Sequence, residues 1–135
     1  MDLFDAAMRG TEIPDELRRF LLTGSLSVPH VEAILQLRGS TQALDAQGLA
    51  MRLYVRAGTA ASVLADLCEI GIAHLSNSQA STYNYLPRTP ELAALVDKLE
   101  YAYARHLVEV TRLIHSAEDN KALEFADAFR FRKEP

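Results

Sequence analysis

The spacing of hydrophobic residues between positions 44 and 86 predicts two helices separated by a sharp turn. The first helix would run over Leu44–Tyr54, with Asp45 as a possible cap, and the stretch Val55–Gly58 breaks its pattern. Thr59 is the expected N-cap of the second helix, which Gly71 would close in a left-handed conformation. Each helix has one apolar face at helical spacing. These faces are Leu44, Leu49, Ala50, Leu53 and Tyr54 in the first helix, and Val63, Leu64, Leu67 and Ile70 in the second.

A polar tract between two short hydrophobic runs follows directly after Gly71. Ile72–Leu75 and Thr82–Leu86 are typical of two short strands, and the tract Ser76–Ser81 between them is typical of a turn. Helix, turn, helix and hairpin in this order predict a winged helix-turn-helix. The expected fold class is therefore mainly α with a small β-hairpin (α+β).

The rest of the chain is expected to support this motif within a single domain, residues 1–135. Residues 1–28 would form an N-terminal arm with a short helix that starts at Ile13–Glu16, since proline and acidic residues suit a first turn. Residues 29–88 would form the winged helix-turn-helix, opened by a supporting helix that starts near Ser27 and stops at Arg38–Ser40. Residues 89–135 would form the C-terminal helices.

The longest predicted helix, Glu91–Ser116, carries a hydrophobic seam with alternating spacings of four and three. Its length would be on the order of 39 Å. The stripe is wide enough to pack on its own domain with one side and on a partner with the other. We therefore expect the chain to form a homodimer through this helix. A last amphipathic helix is expected over Asp119–Pro135, with Leu123, Phe125, Ala126 and Phe129 as candidates for burial. The predicted dimerisation residues are Leu92, Val96, Leu99, Tyr103, His106, Val110 and Leu113.

Composition narrows the class of protein. The 135 residues are 49% hydrophobic and 24% charged, which is ordinary for a folded domain. No run of about 18 apolar residues and no signal-peptide pattern is present, so we expect a cytoplasmic protein that does not interact with membranes. A single cysteine, Cys68, fits a reduced compartment and a small core residue. The net charge of −4 lowers the expectation of nucleic-acid binding, although only the local field at a contact face decides it.

If the motif binds double-stranded DNA, its second helix lies in the major groove. Thr59, Ala61 and Ser62 would then approach the bases. Arg52, Arg56 and Arg88 would hold phosphates, although Arg52 and Arg56 are equally well explained as surface residues that keep this face soluble. The second helix contains no lysine or arginine, and it carries the acidic residues Asp66 and Glu69.

The pattern gives no support for catalysis. His30, His74, His106 and His115 are scattered over different predicted elements, and no pair has a metal-ligand spacing. Glycine-rich phosphate loops and nucleophile elbows are absent from the sequence. We therefore expect neither an enzyme nor a cofactor or metal.

The order of elements resembles the MarR-like and broader winged-helix transcriptional regulators of bacteria. The resemblance is carried by Leu44–Tyr54, Thr59–Gly71, the hairpin Ile72–Leu86 and the long helix from Glu91. The tail Phe125–Arg132 is also similar to the ending of small bacterial winged-helix proteins. The resemblance implies a homodimer whose paired recognition helices meet successive major grooves. Two features of this sequence differ from the family pattern. The recognition helix lacks basic residues, and the hairpin tip lacks an arginine.

Three functions follow as alternatives. The first is a homodimeric DNA-binding transcriptional regulator of the winged-helix type. The second is a winged helix that serves as a protein-interaction or dimerisation module without binding DNA, which the acidic second helix favours. The third is a ligand-responsive regulator with a small apolar pocket between the long helix and the motif.

Overall fold

A computed structural model of the chain describes residues 13–23 and 26–133, with side chains as far as residue 120. Within these residues six helices and one two-stranded antiparallel sheet form. The candidates for burial in the tail, Leu123 to Phe129, lie outside the described side chains. In chain order the elements are α1 Asp15–Thr23, α2 Val28–Gly39, α3 Ala46–Leu53, α4 Ala57–Ile70, β1 Ala73–Asn77, β2 Thr82–Tyr85, α5 Pro90–Arg105 and α6 Leu107–Lys133.

The chain divides into two compact units. One unit comprises residues 28–100, which hold α2 to β2 and most of α5, and the other comprises the chain before residue 28 and after residue 100. The boundary between the two units falls inside α5. That the two units form a single domain stays a prediction.

The first helix of the motif, α3, begins as the sequence predicts. The Asp45 carboxylate accepts a hydrogen bond of 2.7 Å from the Gly48 amide, which confirms Asp45 as the N-cap. Leu44 was expected on the helix and instead lies before it, bridged to Tyr83 by two backbone hydrogen bonds of 2.8 Å. The helix ends at Tyr54, whose φ of 58° is left-handed. Tyr54 was expected on the apolar face, but the turn carries it away from the core and leaves it 95% exposed.

The second helix of the motif, α4, begins earlier than predicted. Arg56 is its N-cap residue. The prediction that Thr59 is the N-cap is wrong, because Thr59 lies within the first turn. The turn of the motif therefore lies at Tyr54–Arg56. Gly58, which was expected in the turn, is inside the helix, where an added Cβ would meet no atom within 4 Å.

Gly71 closes α4 in the conformation that the sequence predicts. Its φ is 95°, its amide donates to the carbonyls of Leu67 (3.1 Å) and Cys68 (3.2 Å), and the Ile72 amide donates to Leu67 (3.0 Å). These bonds satisfy the last carbonyls of the helix and turn the chain at once into the hairpin. Arg88 packs over the same point, 3.1–3.2 Å from the position that a Cβ on Gly71 would take.

The hairpin confirms the predicted wing. Ala73 pairs with Tyr85 and Leu75 with Tyr83, and a bulge lies between Leu75 and Asn77. Because Tyr83 also bridges to Leu44, the second strand is joined to the residue that precedes α3. The wing is thereby fixed to the helix-turn-helix by backbone hydrogen bonds on both sides of β2.

A continuous apolar core holds the unit of residues 28–100 together. The helices α2 and α3 pack against α4, and α5 contributes Val96 and Leu99, which are completely buried. At its border, Arg38 on α2 donates hydrogen bonds to Asp97 and Glu100 on α5. The core residues are Val31, Ile34, Leu37, Leu49, Ala60, Val63, Leu64, Leu67, Ile72, Val96 and Leu99, each at most 3% exposed.

In the second unit α1 packs against α6. Leu17 and Leu21, four residues apart on α1, are fully buried, and so is Ile13 just before the helix. On the other side, Val110 and Ile114 of α6 are also fully buried. The described part of the predicted N-terminal arm is thus a packed helix of this unit.

The start of the predicted long helix Glu91–Ser116 is confirmed, but its continuity and its end are wrong. Thr89 caps α5 through its hydroxyl, which accepts a hydrogen bond of 3.1 Å from Leu92, and the helix is interrupted at His106. The next helix, α6, continues past Ser116 to Lys133, so no separate tail helix begins at Asp119. The polar stretch after Ser116 looked like a break, but Ala117 is buried and its polar neighbours occupy the exposed face. Over the described residues, no helix is long and apolar enough to cross a membrane.

Gly71→Ala should destabilise the unit because the new methyl group meets Arg88 and the left-handed φ disfavours any side chain. We expect a decrease of about 2 kcal/mol in the free energy of unfolding. Urea titration followed by circular dichroism measures it. The matched control is Gly39→Ala, at a helix end where no atom lies within 4 Å of the added carbon. An equal decrease for both variants would contradict the assignment of Gly71.

Candidate nucleic-acid interface

One face of α4 is buried and the opposite face is exposed. Ala60, Val63, Leu64 and Leu67 fill the core. The predicted base-contact residues Thr59, Ala61 and Ser62 all lie on the exposed face. The helix therefore presents small side chains to a partner, which lets a groove surface approach the helix closely.

The amino end of α4 is open to solvent. Ala60 donates the first helical hydrogen bond, to the Arg56 carbonyl (3.0 Å), so the amides of Ala57, Gly58 and Thr59 lie ahead of it. Among the described residues no side chain caps this end, and these three residues are exposed. Unpaired amides and the helix dipole together make such an end attractive to phosphate.

Both arginines that the sequence predicts as phosphate contacts lie next to this helix end. Arg52 is on the last turn of α3 and Arg56 is the N-cap residue of α4, and both are exposed. Arg52 Nη1 lies 3.5 Å from Gln36 Oε1, a weak hydrogen bond that leaves most of the guanidinium available. Both arginines thus lie within five residues of the start of α4 in the sequence.

The acidic residues of α4 lie farther along the helix, and one of them is paired. His30 Nε2 on α2 lies 2.8 Å from an Asp66 carboxylate oxygen, and the His30 side chain is 13% exposed. The Asp66 carboxylate therefore contacts α2. Glu69 is exposed and lies about 18 Å along the axis from Ala57, at about 1.5 Å per residue.

Arg88 lies at the other end of α4 from Arg52 and Arg56. Its Nη2 donates a hydrogen bond of 3.3 Å to the carbonyl of Cys68, in the last turn of the helix. A cation there interacts favourably with the negative end of the helix dipole. This contact gives Arg88 a structural role, and its predicted contact with phosphate stays a prediction.

The tip of the wing carries no charged side chain. Asn77 Oδ1 accepts hydrogen bonds from the amides of Gln79 (3.0 Å) and Ala80 (3.1 Å), and the Ser76 hydroxyl donates to the Thr82 carbonyl (3.0 Å). These side chains hold the turn together. The wing tip therefore offers shape and a few polar groups to a partner.

The predicted dimerisation residues divide into two sets by burial. Val96, Leu99 and Val110 are fully buried within the chain, so their main contacts are to its own core. The half-buried set, which keeps some surface for a partner, is Leu92, Tyr103, His106 and Leu113. More exposed than any of these are Leu107 (48%) and Val108 (55%) at the start of α6, neither of which is among the seven predicted dimerisation residues.

Two exposed residues beside the arginines were also missed. Met51 is 74% exposed and Tyr54 is 95% exposed. Tyr54 lies four residues after Ala50, and this helical spacing predicts burial. No signal in the sequence marks the left-handed turn that exposes it, because such turns usually contain glycine or asparagine.

The described titratable residues form no cluster suited to a metal ion. Burial raises the pKa of the half-buried Cys68 thiol, and burial also raises the pKa of Tyr85, next to Arg38. Hydrogen bonds to Glu100 and Asp97 raise the pKa of Arg38, so this guanidinium keeps its charge. Of these groups, Arg38 links α2 to α5 through its hydrogen bonds to Asp97 and Glu100.

Cys68 should react slowly with a thiol reagent such as dithiobis(nitrobenzoate). Because its pKa is raised, the thiolate fraction at pH 8 is smaller than in an unfolded chain, and the reaction proceeds through the thiolate. We expect the rate in native protein to be at least about tenfold below that in guanidinium, and to rise as the pH increases toward the raised pKa. Equal rates in the two conditions would show that Cys68 is not shielded in α4.

Of the comparisons with known proteins, only the one with solved structures gives a match. Neither a family model nor a curated protein matches the chain. Among solved structures, the chain is similar to the multiple antibiotic-resistance repressor (MarR) from Listeria monocytogenes 4b F2365. The two chains share 14% sequence identity with a TM-score of 0.48, over 97% of this chain and 92% of the other. The helices, turn and wing of residues 28–100 themselves have the order and packing of a winged helix-turn-helix, as the sequence predicts.

Proposed function

We propose that this chain is a winged-helix transcriptional regulator that binds double-stranded DNA as a homodimer. The observation that carries the proposal is the open amino end of α4 with Arg52 and Arg56 beside it. In this arrangement α4 lies in the major groove with Thr59, Ala61 and Ser62 toward the base edges. The two arginines and the amides of the first turn contact phosphates on the groove wall.

Electrostatics supports the proposal despite the net charge of −4. Charges farther from a phosphate than the Debye length, about 8 Å at physiological salt, are largely screened. Glu69 lies beyond that distance along the helix, and Asp66 is paired with His30. Neither acidic residue of α4 therefore places an unpaired negative charge within that distance of its amino end.

Exposed apolar side chains support the homodimer. Leu107 and Val108 follow one another at the start of α6, where the Thr111 hydroxyl bonds to the carbonyls of both residues (2.9 and 3.0 Å). With its hydroxyl occupied, Thr111 adds a methyl group to this surface. We place the self-contact of the protein here and on the half-buried residues Tyr103, His106 and Leu113 of the same unit. The predicted dimer contact at Leu92, which belongs to the other unit, stays a prediction.

The test of DNA binding is the anisotropy of a mixed-sequence fluorescent duplex titrated at low and at physiological salt. Wild type should bind, and its affinity should fall steeply as salt rises. Arg52→Ala/Arg56→Ala should weaken binding at all sequences. It should also reduce the salt slope by about one for each phosphate that is no longer neutralised.

The control removes the same charge elsewhere. Arg19→Ala/Arg112→Ala changes two exposed arginines in the other unit and should leave both affinity and salt slope unchanged. If the control weakens binding as much as the test variant, net charge and not the amino end of α4 determines binding. Absence of wild-type binding even at low salt would refute the proposed function.

Dimerisation is tested by placing a charge on the exposed apolar surface. Val108→Glu should convert a dimer into a monomer by multi-angle light scattering, because burying an unpaired carboxylate at an interface is unfavourable. The residue is on the surface, so the variant should keep its helical circular dichroism. Leu22→Glu, at another exposed apolar residue, is the control and should remain dimeric. A dimer that survives Val108→Glu places the interface elsewhere.

A second candidate function is a protein-interaction module. The observation that favours it is the exposed apolar surface of Met51 and Tyr54 next to a helix that presents alanines. Exposed methionine and aromatic side chains are enriched at protein interfaces. This function becomes the leading one if the duplex does not bind at low salt.

A further inference from the structure

The two helices of the helix-turn-helix end in the same backbone motif with different residues. At the end of α4, Gly71 is left-handed, and the amide of the next residue, Ile72, donates to Leu67. At the end of α3, Tyr54 is left-handed with φ 58°, and the amide of the next residue, Val55, donates to Ala50 (3.1 Å). Tyrosine thus occupies the position that glycine occupies in the following helix.

Stability does not explain a tyrosine at this position. The left-handed conformation disfavours a side chain, and glycine adopts it freely. Tyr54 gains almost nothing from packing, because 95% of its surface is exposed. An unfavourable backbone conformation that presents a side chain to solvent points to a function for that side chain.

Two arginines flank Tyr54 in the sequence. In sequence it lies two residues after Arg52 and two residues before Arg56, directly ahead of the open end of α4. Tyrosine hydroxyls are among the groups that bind DNA phosphates, and the phenyl ring is a flat apolar surface that packs on a sugar. A polyanion with apolar sugars between its charges fits these groups.

We propose that Tyr54 contacts the sugar-phosphate backbone of DNA, donating a hydrogen bond from its hydroxyl to a phosphate oxygen while its ring packs on the adjoining deoxyribose. This inference rests on the proposed function and adds a residue to it. Its chemistry requires no particular base, so Tyr54 contributes to affinity at every sequence and fixes the position of the turn over the backbone.

The first part of the test separates function from stability. Tyr54→Gly should raise the melting temperature by roughly 4 °C, since it relieves the left-handed side chain. The same variant should weaken duplex binding about tenfold at constant salt. Tyr54→Phe should keep the wild-type melting temperature and bind several-fold more weakly, because only the hydroxyl is removed. Leu86→Ala, which shortens a 54% exposed side chain beyond the wing, is the control and should bind like wild type.

The second part detects the contact directly. The chain has five tyrosines and no tryptophan, so labelling with 3-fluorotyrosine gives five fluorine resonances. The Tyr54 resonance, identified as the one missing from Tyr54→Phe, should shift when duplex is added. Tyr101 and Tyr103, in the other unit, serve as internal references.

Each outcome decides the inference. A stabilised Tyr54→Gly variant that binds DNA weakly, with a shifted Tyr54 resonance, supports it. If wild type binds DNA and neither Tyr54→Gly nor Tyr54→Phe weakens the binding, the inference is overturned. The proposed function is then left intact. A melting temperature lowered by Tyr54→Gly overturns it as well, because Tyr54 then stabilises the fold. Wild type that does not bind duplex at low salt refutes the proposed function and this inference together, in favour of a protein partner for Tyr54 and Met51.

Discussion

The burial of one face of α4 is the constraint on which the candidate interface depends. Ala60, Leu64 and Leu67 are completely buried, which fixes the rotation of the helix about its axis. Once that rotation is fixed, Thr59, Ala61 and Ser62 face solvent. The identity of the exposed residues is therefore a consequence of core packing. The Gly71 turn and the Arg88 contact then fix where the helix ends and where the wing begins.

Much of the fold was predictable because it depends on local chemistry. The Asp45 cap, the Gly71 turn and the polar hairpin tip each have a side-chain or backbone requirement that only a few residue types meet. The course of α5 and α6 depends instead on packing over long distances. Spacing alone therefore predicted one helix ending at Ser116, where the structure has an interruption at His106 and a helix that continues to Lys133.

The candidate site was only partly predictable for a related reason. Arg52 and Arg56 were identified by residue type, and the structure has Arg52 on the last turn of α3 and Arg56 at the N-cap of α4. Tyr54 was assigned to the apolar face because its spacing fits a helix that extends one residue further. Its exposure follows from the left-handed backbone, and glycine, the usual signal for such a turn, is absent at this position. Residue type thus predicts charge well, while the direction of a side chain at a helix end requires the structure.

A negative net charge is compatible with the proposed DNA contact because binding is decided over short distances. Screening limits each phosphate to charges within about 8 Å at physiological salt. The amino end of α4 offers Arg52, Arg56 and the three amides of its first turn to a phosphate. The acidic residues of α4 lie toward its carboxyl end, where Asp66 is already paired with His30. Excess negative charge elsewhere on the protein weakens its nonspecific attraction to DNA at low salt. The affinity of a docked complex depends instead on the groups that contact the DNA.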